Sequence, residues 1–207
     1  MTATCIFGGS FDPPHATHRR IVETALATLK PRRLLVVPCA THALKDRPLS
    51  PAEHRIAMCR LAFAGLPQVE VSDLETGRGG TSFTVDTVRQ IRAEIGLDDP
   101  LWVLVGSDNL PELDRWHDHH SLLELATLVV FPRKGAPIHE KALRGTSLRL
   151  KHKNELIDNA LDMPADAVSS TALRDAIARG QSPRDIAPEV LAYAREHGLY
   201  AAGAAEA

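Results

Sequence analysis

The chain has 207 residues, of which 44% are hydrophobic and 24% charged, and its formal net charge at pH 7 is −2. These values are ordinary for a soluble protein of about one domain, and they give no electrostatic case for broad nucleic-acid binding. No apolar run is long enough to cross a membrane, and the N-terminus lacks the basic-then-apolar pattern of a signal peptide. The cysteines Cys5, Cys39 and Cys59 are far apart and odd in number, which favours buried thiols in a reducing cytoplasm over a disulfide framework or a metal motif.

Short apolar runs alternate with helical patterns along the chain. These runs are rich in Val, Ile and Leu, as expected of strands that are covered on both faces. The predicted strands are 4–7, 34–38, 69–72, 101–105 and 128–131. The alternation predicts an α/β fold, a Rossmann-like doubly wound parallel sheet with helices on both faces. In such a sheet, ligands bind beyond the carboxyl ends of the strands, near the point where the strand order reverses.

The predicted helices carry recognisable start and stop signals. The tetrapeptide Ser50-Pro51-Ala52-Glu53 predicts a capping box that opens a helix to about Ala64. Three further helices are predicted over 84–95, 171–179 and 188–197, each followed by glycine. The stretch 134–153 is basic and predicts a surface helix plus loop. We expect one domain over residues 1–200, with a helical C-terminal portion at about 170–200 and a fraying tail over 201–207.

The stretch 8–18, GGSFDPPHATH, lies between the first predicted strand and a helical pattern. Paired glycines before a helix let a polyanion approach the backbone, and the helix N-terminus favours negative charge. His15 and His18 would share one face of that helix. A zinc site lacks a third ligand at a suitable spacing, so the stretch predicts a nucleotide phosphate site.

A second phosphate site is indicated by residues 168–174, VSSTALR. A hydroxyl before a helix is usually an N-cap, which explains one of the three. Arg174 in the first helical turn opposes the helix dipole, unless an anion is bound there. With an anion present, hydroxyls, backbone N–H groups and the guanidinium would converge on one phosphate group.

These two stretches resemble the nucleotidyltransferase motifs GG(S/T)FDPxHxGH and SSTxxR. Residues 81–87, TSFTVDT, and 105–110, VGSDNL, followed by Trp116, resemble the TS(Y/F)TxxT and G(A/S)DxL…W elements of bacterial nicotinate mononucleotide adenylyltransferases. The resemblance runs in order from about residue 4 to residue 200. One position departs from it, because Thr17 stands where that family has glycine. Its β-branched side chain fits if it faces away from the nucleotide or if its hydroxyl joins the phosphate network.

The resemblance implies transfer of AMP from ATP to nicotinate mononucleotide in NAD biosynthesis, giving nicotinate adenine dinucleotide and pyrophosphate. It implies Mg²⁺ held mainly by the phosphates, and no protein nucleophile. The implied catalytic residues are His18, His15, Arg174 and Lys45, with Arg47 as the alternative to Lys45. The implied ATP contacts are Gly8, Gly9, Ser10, Phe11, His15, His18, Gly106, Asp108, Ser169, Ser170, Thr171 and Arg174.

The implied acceptor site consists of Ser82, Phe83 and Thr84, whose backbone N–H groups would receive the nicotinate carboxylate, and Trp116, which would face the pyridine ring. Such a carboxylate pocket disfavours an amide. The cluster 117–120, HDHH, is expected to be a solvated loop rather than a metal site, since adjacent residues rarely converge on one ion.

Other functions stay open. The acceptor could be nicotinamide mononucleotide or phosphopantetheine, although residues 81–87 and Trp116 argue against the latter. Thr17 motivates a third hypothesis, a nucleotide sensor that does not turn over. The expected partners are small molecules, without nucleic acid or membrane, and the sequence leaves open whether the protein is a homo-oligomer.

Overall fold

The computed structural model describes residues 3–42 and 48–201. The predictions for Lys45, Arg47 and the tail beyond residue 201 therefore lie outside the described residues. Within them no helix is long and apolar enough to span a bilayer. The helices and strands in chain order are β1 (Thr4–Gly9), α1 (Ala16–Leu29), β2 (Arg33–Pro38), β3 (Thr41–His42), α2 (Ala52–Ala62), β4 (Val69–Val71), α3 (Leu74–Arg78), β5 (Thr81–Ser82), α4 (Thr84–Ile95), β6 (Leu101–Gly106), a 3-10 helix (Ser107–Arg115), α5 (His119–Leu125), β7 (Thr127–Phe131), a second 3-10 helix (Glu140–Leu143), α6 (Leu150–Asp158), α7 (Ser170–Ala178) and α8 (Pro188–Glu196).

Five of the strands form one parallel sheet in the order β4-β2-β1-β6-β7. The chain builds outward from β1 through β2 to β4, and then returns to place β6 and β7 on the other side of β1. The strand order thus reverses between β1 and β6, where a doubly wound sheet binds its ligand. This confirms the predicted α/β fold.

The carboxyl ends of β1 and β6 separate. Pairing between them runs from Thr4–Leu101 to Ile6–Val103, whereas pairing of β1 with β2 continues to Gly9–Pro38. The last residues of β1 and β6 therefore border a gap rather than a ladder. A small parallel pair, β3 with β5, lies outside the main sheet.

The core has one layer on each face of the sheet, because successive side chains of a strand point to opposite faces. Cys5 and Phe7 of β1 pack with residues of α1, α2, α7 and α8. Ile6, between them, packs with residues of α4, α5 and α6. Helices therefore cover both faces, as predicted.

The predicted capping box at Ser50 is wrong. The helix begins at Ala52 with Pro51 as its N-cap and no side-chain capping bond. The backbone N–H of Ser50 donates to Asp12 Oδ2 at 3.4 Å, and its carbonyl accepts from Arg55 Nε at 2.8 Å. Ser50 is thus used in tertiary contacts rather than in a cap.

The other differences concern helix and strand ends and short elements. Helix α4 has the predicted bounds, and α7 starts and ends one residue earlier than predicted. Strands β1 and β6 run on to Gly9 and Gly106. The stretch 134–153 contains a 3-10 helix and only the start of α6, and the predicted loop at 117–120 contains the first two residues of α5.

Candidate active site

A cavity of about 460 Å³ lies at the carboxyl end of the sheet, where β1 and β6 separate. It brings residues from the strand ends together with the start of α4 and the end of the first 3-10 helix. Its lining includes Ile6, Gly8, Gly9, Cys39, Glu75, Ser82, Phe83, Thr84, Thr87, Val103, Gly106, Asn109, Arg115, Trp116, His117 and Phe131. All four residues predicted for the acceptor site are among them.

Two of the lining glycines differ in what surrounds them. A Cβ at Gly106 would displace the Asp108 carboxylate and lie 3.2 Å from the Phe131 ring, so Gly106 is closely packed by side chains. A Cβ at Gly8 would meet nothing within 4 Å. The backbone of Gly8 is therefore open to the cavity, as a ligand-facing strand end requires.

The end of the cavity at which the acceptor is expected is built around the start of α4. Phe83 is the N-cap of this helix, and its ring lies 4.4 Å from the ring of His117, centroid to centroid. The first backbone N–H groups of a helix attract anions. The Nε1 atom of Trp116 is buried and has no hydrogen-bond partner within the described part of the chain. This end of the cavity therefore offers an aromatic wall and a helix N-terminus.

The two histidines of the first motif lie together at the start of α1. His15 is the N-cap, His18 is the third helical residue, and their ring centroids are 3.8 Å apart. The backbone N–H of His15 donates to Nδ1 of His18 at 3.2 Å. Because Nδ1 accepts a hydrogen bond, the proton of neutral His18 belongs on Nε2, which makes Nε2 the donor.

His15 is buried, with 3% of its surface exposed. Burial lowers its pKa from 6.5 to about 4; the positive charge of Arg133 adds to this effect and Asp166 opposes it. His15 is therefore uncharged at neutral pH. Its Nδ1 atom is buried and has no hydrogen-bond partner among residues 3–42 and 48–201.

The second motif contacts the first directly. Ser169 accepts from the backbone N–H of Ala172 at 3.2 Å, which confirms an N-cap. Ser170 Oγ donates to the Pro13 carbonyl at 3.0 Å, and Arg174 donates to the Asp12 carbonyl at 2.7 Å and to Thr171 Oγ1 at 3.1 Å.

The remaining ATP-site predictions have different outcomes. The ring of Phe11 is 1% exposed and packs in the core, so the ring does not line the cavity. The Ser10 carbonyl accepts from Arg55 at 3.0 Å. Asp108 is half-exposed and lies 3.8 Å from Arg133, measured from Oδ2 to Nε.

Within the histidine-rich stretch 117–120, Asp118 has a structural role. Asp118 caps α5 by accepting from the backbone N–H of Ser121, and it pairs with Arg89. Among the described residues, no group of three or more His, Cys, Asp or Glu side chains is arranged to hold a metal ion.

Two arginines near the site, Arg133 and Arg55, were not predicted from the sequence. Arg133 follows β7 at the ligand edge of the sheet and influences both His15 and Asp108; its place directly after a predicted strand is a signal that could have identified it. Arg55 is 1% exposed and donates to the carbonyls of Ser10, Ser50 and Ala40. Nothing in the helical pattern distinguishes Arg55 from a solvated arginine.

Thr17 is also buried, with 2% of its surface exposed. Its hydroxyl donates to Asp166 Oδ2 at 2.7 Å. The hydroxyl is thus turned toward the segment that precedes α7.

Comparison with known proteins gives the family. A sequence profile described as cytidylyltransferase-like matches residues 6–176. The probable nicotinate-nucleotide adenylyltransferase of Gemmatimonas aurantiaca is 38% identical over 196 residues, covering 94% of this chain and 90% of that protein. Its counterpart in Albidiferax ferrireducens is 40% identical over 196 residues, covering 94% and 96%. The fold resembles that of Plasmodium falciparum nicotinic acid mononucleotide adenylyltransferase complexed with NaAD, with a TM-score of 0.76 at 20% identity over 97% of this chain and 98% of that chain. The chain therefore belongs to the nicotinate-nucleotide adenylyltransferase family, within the cytidylyltransferase-like proteins.

Proposed function

We propose that this protein joins ATP to nicotinate mononucleotide, forming nicotinate adenine dinucleotide and pyrophosphate. The observation that carries the proposal is that Gly8, Gly106, Phe83 and Trp116 line the same cavity. Strand ends suited to a nucleotide and a helix start suited to a carboxylate thus share one space at the point where strand order reverses. The family of the chain supports the same reaction.

In this reaction a phosphate oxygen of the mononucleotide attacks the α-phosphorus of ATP. A new P–O bond forms there while the bond to the β-phosphate breaks, and pyrophosphate leaves with its electron pair. The protein supplies position and charge stabilisation rather than a nucleophile. Nε2–H of His18 donates to a phosphate oxygen, and Ser170, Thr171 and Arg174 hold the β- and γ-phosphates that leave.

Mg²⁺ is proposed to arrive bound to ATP. Mg²⁺ is commonly bound through substrate phosphates, and here the phosphates of ATP are proposed to hold it. When bound, it neutralises part of the charge that develops on the leaving pyrophosphate.

The start of α4 is proposed to select nicotinate over nicotinamide. Backbone N–H donors that suit a carboxylate would face the NH₂ group of the amide, which leaves donors unpaired. Phe83 and Trp116 border the same cavity and would hold the pyridine ring from the side.

Three further points belong to the proposal. Residues 1–200 act as one nucleotidyltransferase domain. Its substrates are small molecules, and it has no nucleic-acid partner, because a net charge of −2 gives no electrostatic case for one. The protein works in the cytoplasm, where its three buried cysteines would stay reduced.

The test is pyrophosphate release from ATP with each acceptor in turn: nicotinate mononucleotide, nicotinamide mononucleotide and phosphopantetheine. We expect the highest kcat/KM with the nicotinate compound. Equal or higher activity with another acceptor would overturn the acceptor assignment. Tight ATP binding without pyrophosphate release for any acceptor would instead support a nucleotide sensor.

A further inference from the structure

Thr17 and Asp166 form a buried contact between two elements that are far apart in the sequence. The Thr17 hydroxyl donates to Asp166 Oδ2 at 2.7 Å, and the side chain of Asp166 is 16% exposed. Thr17 lies in the first turn of α1, between His15 and His18. Asp166 lies three residues before Ser169, the N-cap of α7. The contact therefore joins the starts of the two helices that carry the phosphate motifs.

Asp166 is held by its own segment, by the chain just after β7 and by α1. Its Oδ1 accepts from the backbone N–H groups of Ala167 at 2.7 Å and Val168 at 3.2 Å. Its backbone carbonyl accepts from Lys134 N–H at 3.4 Å, just after β7. Its Oδ2 also lies 3.2 Å from Arg20. The carboxylate is thus fixed in place, and the bond from Thr17 ties α1 to that fixed point.

The charge of Asp166 also favours this arrangement. Helix α1 has no acidic residue in its own first turn, and Asp166 supplies a negative charge beside it, where the helix dipole is positive. The hydrogen bond from Thr17 is the largest cause that lowers the pKa of Asp166. The carboxylate is therefore ionised at neutral pH and accepts a strong, charge-assisted hydrogen bond.

Two other bonds between these elements use groups that the proposed reaction needs, whereas the ion pair of Arg20 with Asp166 does not. Ser170 donates to Pro13 and Arg174 to Asp12, and both side chains must also reach phosphate oxygens if they hold ATP. Those two bonds are therefore weakened or shared when ATP binds. The bond between Thr17 and Asp166 uses atoms that have no part in the chemistry, so it persists while substrates enter and leave.

We propose that Thr17 and Asp166 are positioning residues that hold the start of α7 at a fixed distance from the histidines of α1, so that Ser170, Thr171 and Arg174 meet the β- and γ-phosphates of ATP. This inference rests on the proposed function, because it assumes that both helix starts hold ATP phosphates. It gives Thr17, the position that departs from the family motif, a specific task in this chain.

The test compares Thr17→Val, which removes the hydroxyl and keeps the shape, with Thr17→Ser, which keeps the hydroxyl. Thr146→Val is the matched control, because Thr146 is also buried and its hydroxyl donates to the Leu143 carbonyl at 2.9 Å, outside the site. KM for ATP, KM for nicotinate mononucleotide, inhibition by pyrophosphate and the melting temperature are measured for each variant.

We expect Thr17→Val to raise both KM for ATP and the inhibition constant of pyrophosphate about tenfold, the scale for losing a hydrogen bond to a charged group. KM for nicotinate mononucleotide should stay close to that of the unsubstituted protein. Thr17→Ser should restore ATP binding, and Thr146→Val should lower only the melting temperature.

Equal rises in both KM values, no rise at all, or failure of Thr17→Ser to restore ATP binding would overturn the inference. If Thr17→Val does not fold, Asp166→Asn provides the second test: its weaker, uncharged acceptor should raise KM for ATP alone, and an unchanged KM would again overturn the inference.

Arg174→Ala separates the two proposals. If Arg174→Ala weakens ATP binding and Thr17→Val does not, the positioning role is wrong and the proposed function stands. If the unsubstituted protein releases no pyrophosphate with any acceptor, the proposed function fails, and calorimetric ATP affinity of the same variants still decides the positioning role.

Discussion

At the residue scale, His18 is the side chain that we propose to have the most direct part in turnover. Its Nδ1 is occupied by the backbone N–H of His15, which leaves Nε2–H as a donor of fixed orientation. We expect His18→Ala to lower kcat about 10²- to 10³-fold, as for loss of one donor to developing charge in a transition state. Steady-state kinetics would measure this, with exposed His120→Ala as the control. A loss below about tenfold would remove His18 from the leading role.

His15 makes stability depend on pH. Its pKa is about 4 in the folded protein and 6.5 when unperturbed, so between these values the unfolded chain binds more protons. The free energy of unfolding should therefore fall as pH falls from about 7 to 4, by up to about 3 kcal/mol. In His15→Asn, which keeps an N-cap residue, that pH dependence should shrink. Urea unfolding at pH 5 and pH 7 would measure it, and an unchanged pH dependence would contradict the low pKa.

Trp116 should contribute more to the binding of nicotinate mononucleotide than to the binding of ATP. Because it lines the cavity beside Phe83 and Thr84, Trp116→Ala should raise KM for nicotinate mononucleotide more than KM for ATP. Trp102 is the protein's other tryptophan, so Trp102→Phe leaves Trp116 as the sole tryptophan that selective excitation reports. Its fluorescence should then change when the mononucleotide binds. A larger effect on KM for ATP would mean that the pyridine site is elsewhere.

Residues in local motifs were predictable, and residues that act across the fold were not. Gly8, His15 and His18 follow from spacing within one stretch, because a strand end and a helix start determine what they face. Arg55 and Asp166 gain their importance from carbonyls and hydroxyls tens of residues away along the chain. No local sequence pattern predicts those partners.

At the element scale, α2 is tied to the glycine-rich stretch by Arg55. Its guanidinium donates to Ser10 at 3.0 Å and Ser50 at 2.8 Å, with Ala40 at 3.5 Å. Arg55→Met would remove the side-chain donor that these carbonyls have within residues 3–42 and 48–201. Each such group costs about 1–3 kcal/mol, so we expect a loss of unfolding free energy of about 3 kcal/mol and a higher KM for ATP.

Exposed Arg60 on the same helix provides the control. Arg60→Met should change urea unfolding by less than about 0.5 kcal/mol. If both substitutions had the same small effect, Arg55 would not stabilise the loop.

The elements predicted best are those with clear start and stop residues in the sequence. Helix α4 was predicted with its observed bounds, because a regular pattern ends at Gly96, which adopts a positive φ of 80°. The capping box at Ser50 failed because tertiary partners occupy that residue. The two-residue strands β3 and β5 are too short to show a period of two, although Ser82, which borders the cavity, lies in one of them.

At the scale of the whole molecule, the parallel sheet was predictable because alternating strands and helices allow few other topologies. The position of the ligand cleft followed from the same rule. The gap between β1 and β6 was not predictable, because it depends on where the pairing between these two strands stops. Pairing stops at Ile6–Val103, two residues before Gly8 and three before Gly106, and no local pattern in the sequence predicts that end point.

The two ends of the fold meet at Asp12. Tyr200, near the end of the described chain, donates from its hydroxyl to Asp12 Oδ1 at 2.7 Å. Asp12 is 1% exposed, and its carbonyl accepts from Arg174. Burial and the nearby Asp12 carboxylate raise the pKa of Tyr200 above its usual range, so the phenol keeps its proton and remains a donor.

Tyr200→Phe should therefore lower the free energy of unfolding by about 2 kcal/mol, because a buried carboxylate loses a partner. It should also raise KM for ATP, since Asp12 is a contact of Arg174. The protein's other tyrosine, Tyr193, bonds to His54 Nδ1 at 3.0 Å and is only half-buried. Tyr193→Phe should cost less stability and leave KM for ATP unchanged. Urea unfolding and kinetics of both variants would measure this, and an equal or larger effect of Tyr193→Phe would show that the contact with Asp12 does not close the fold around the site.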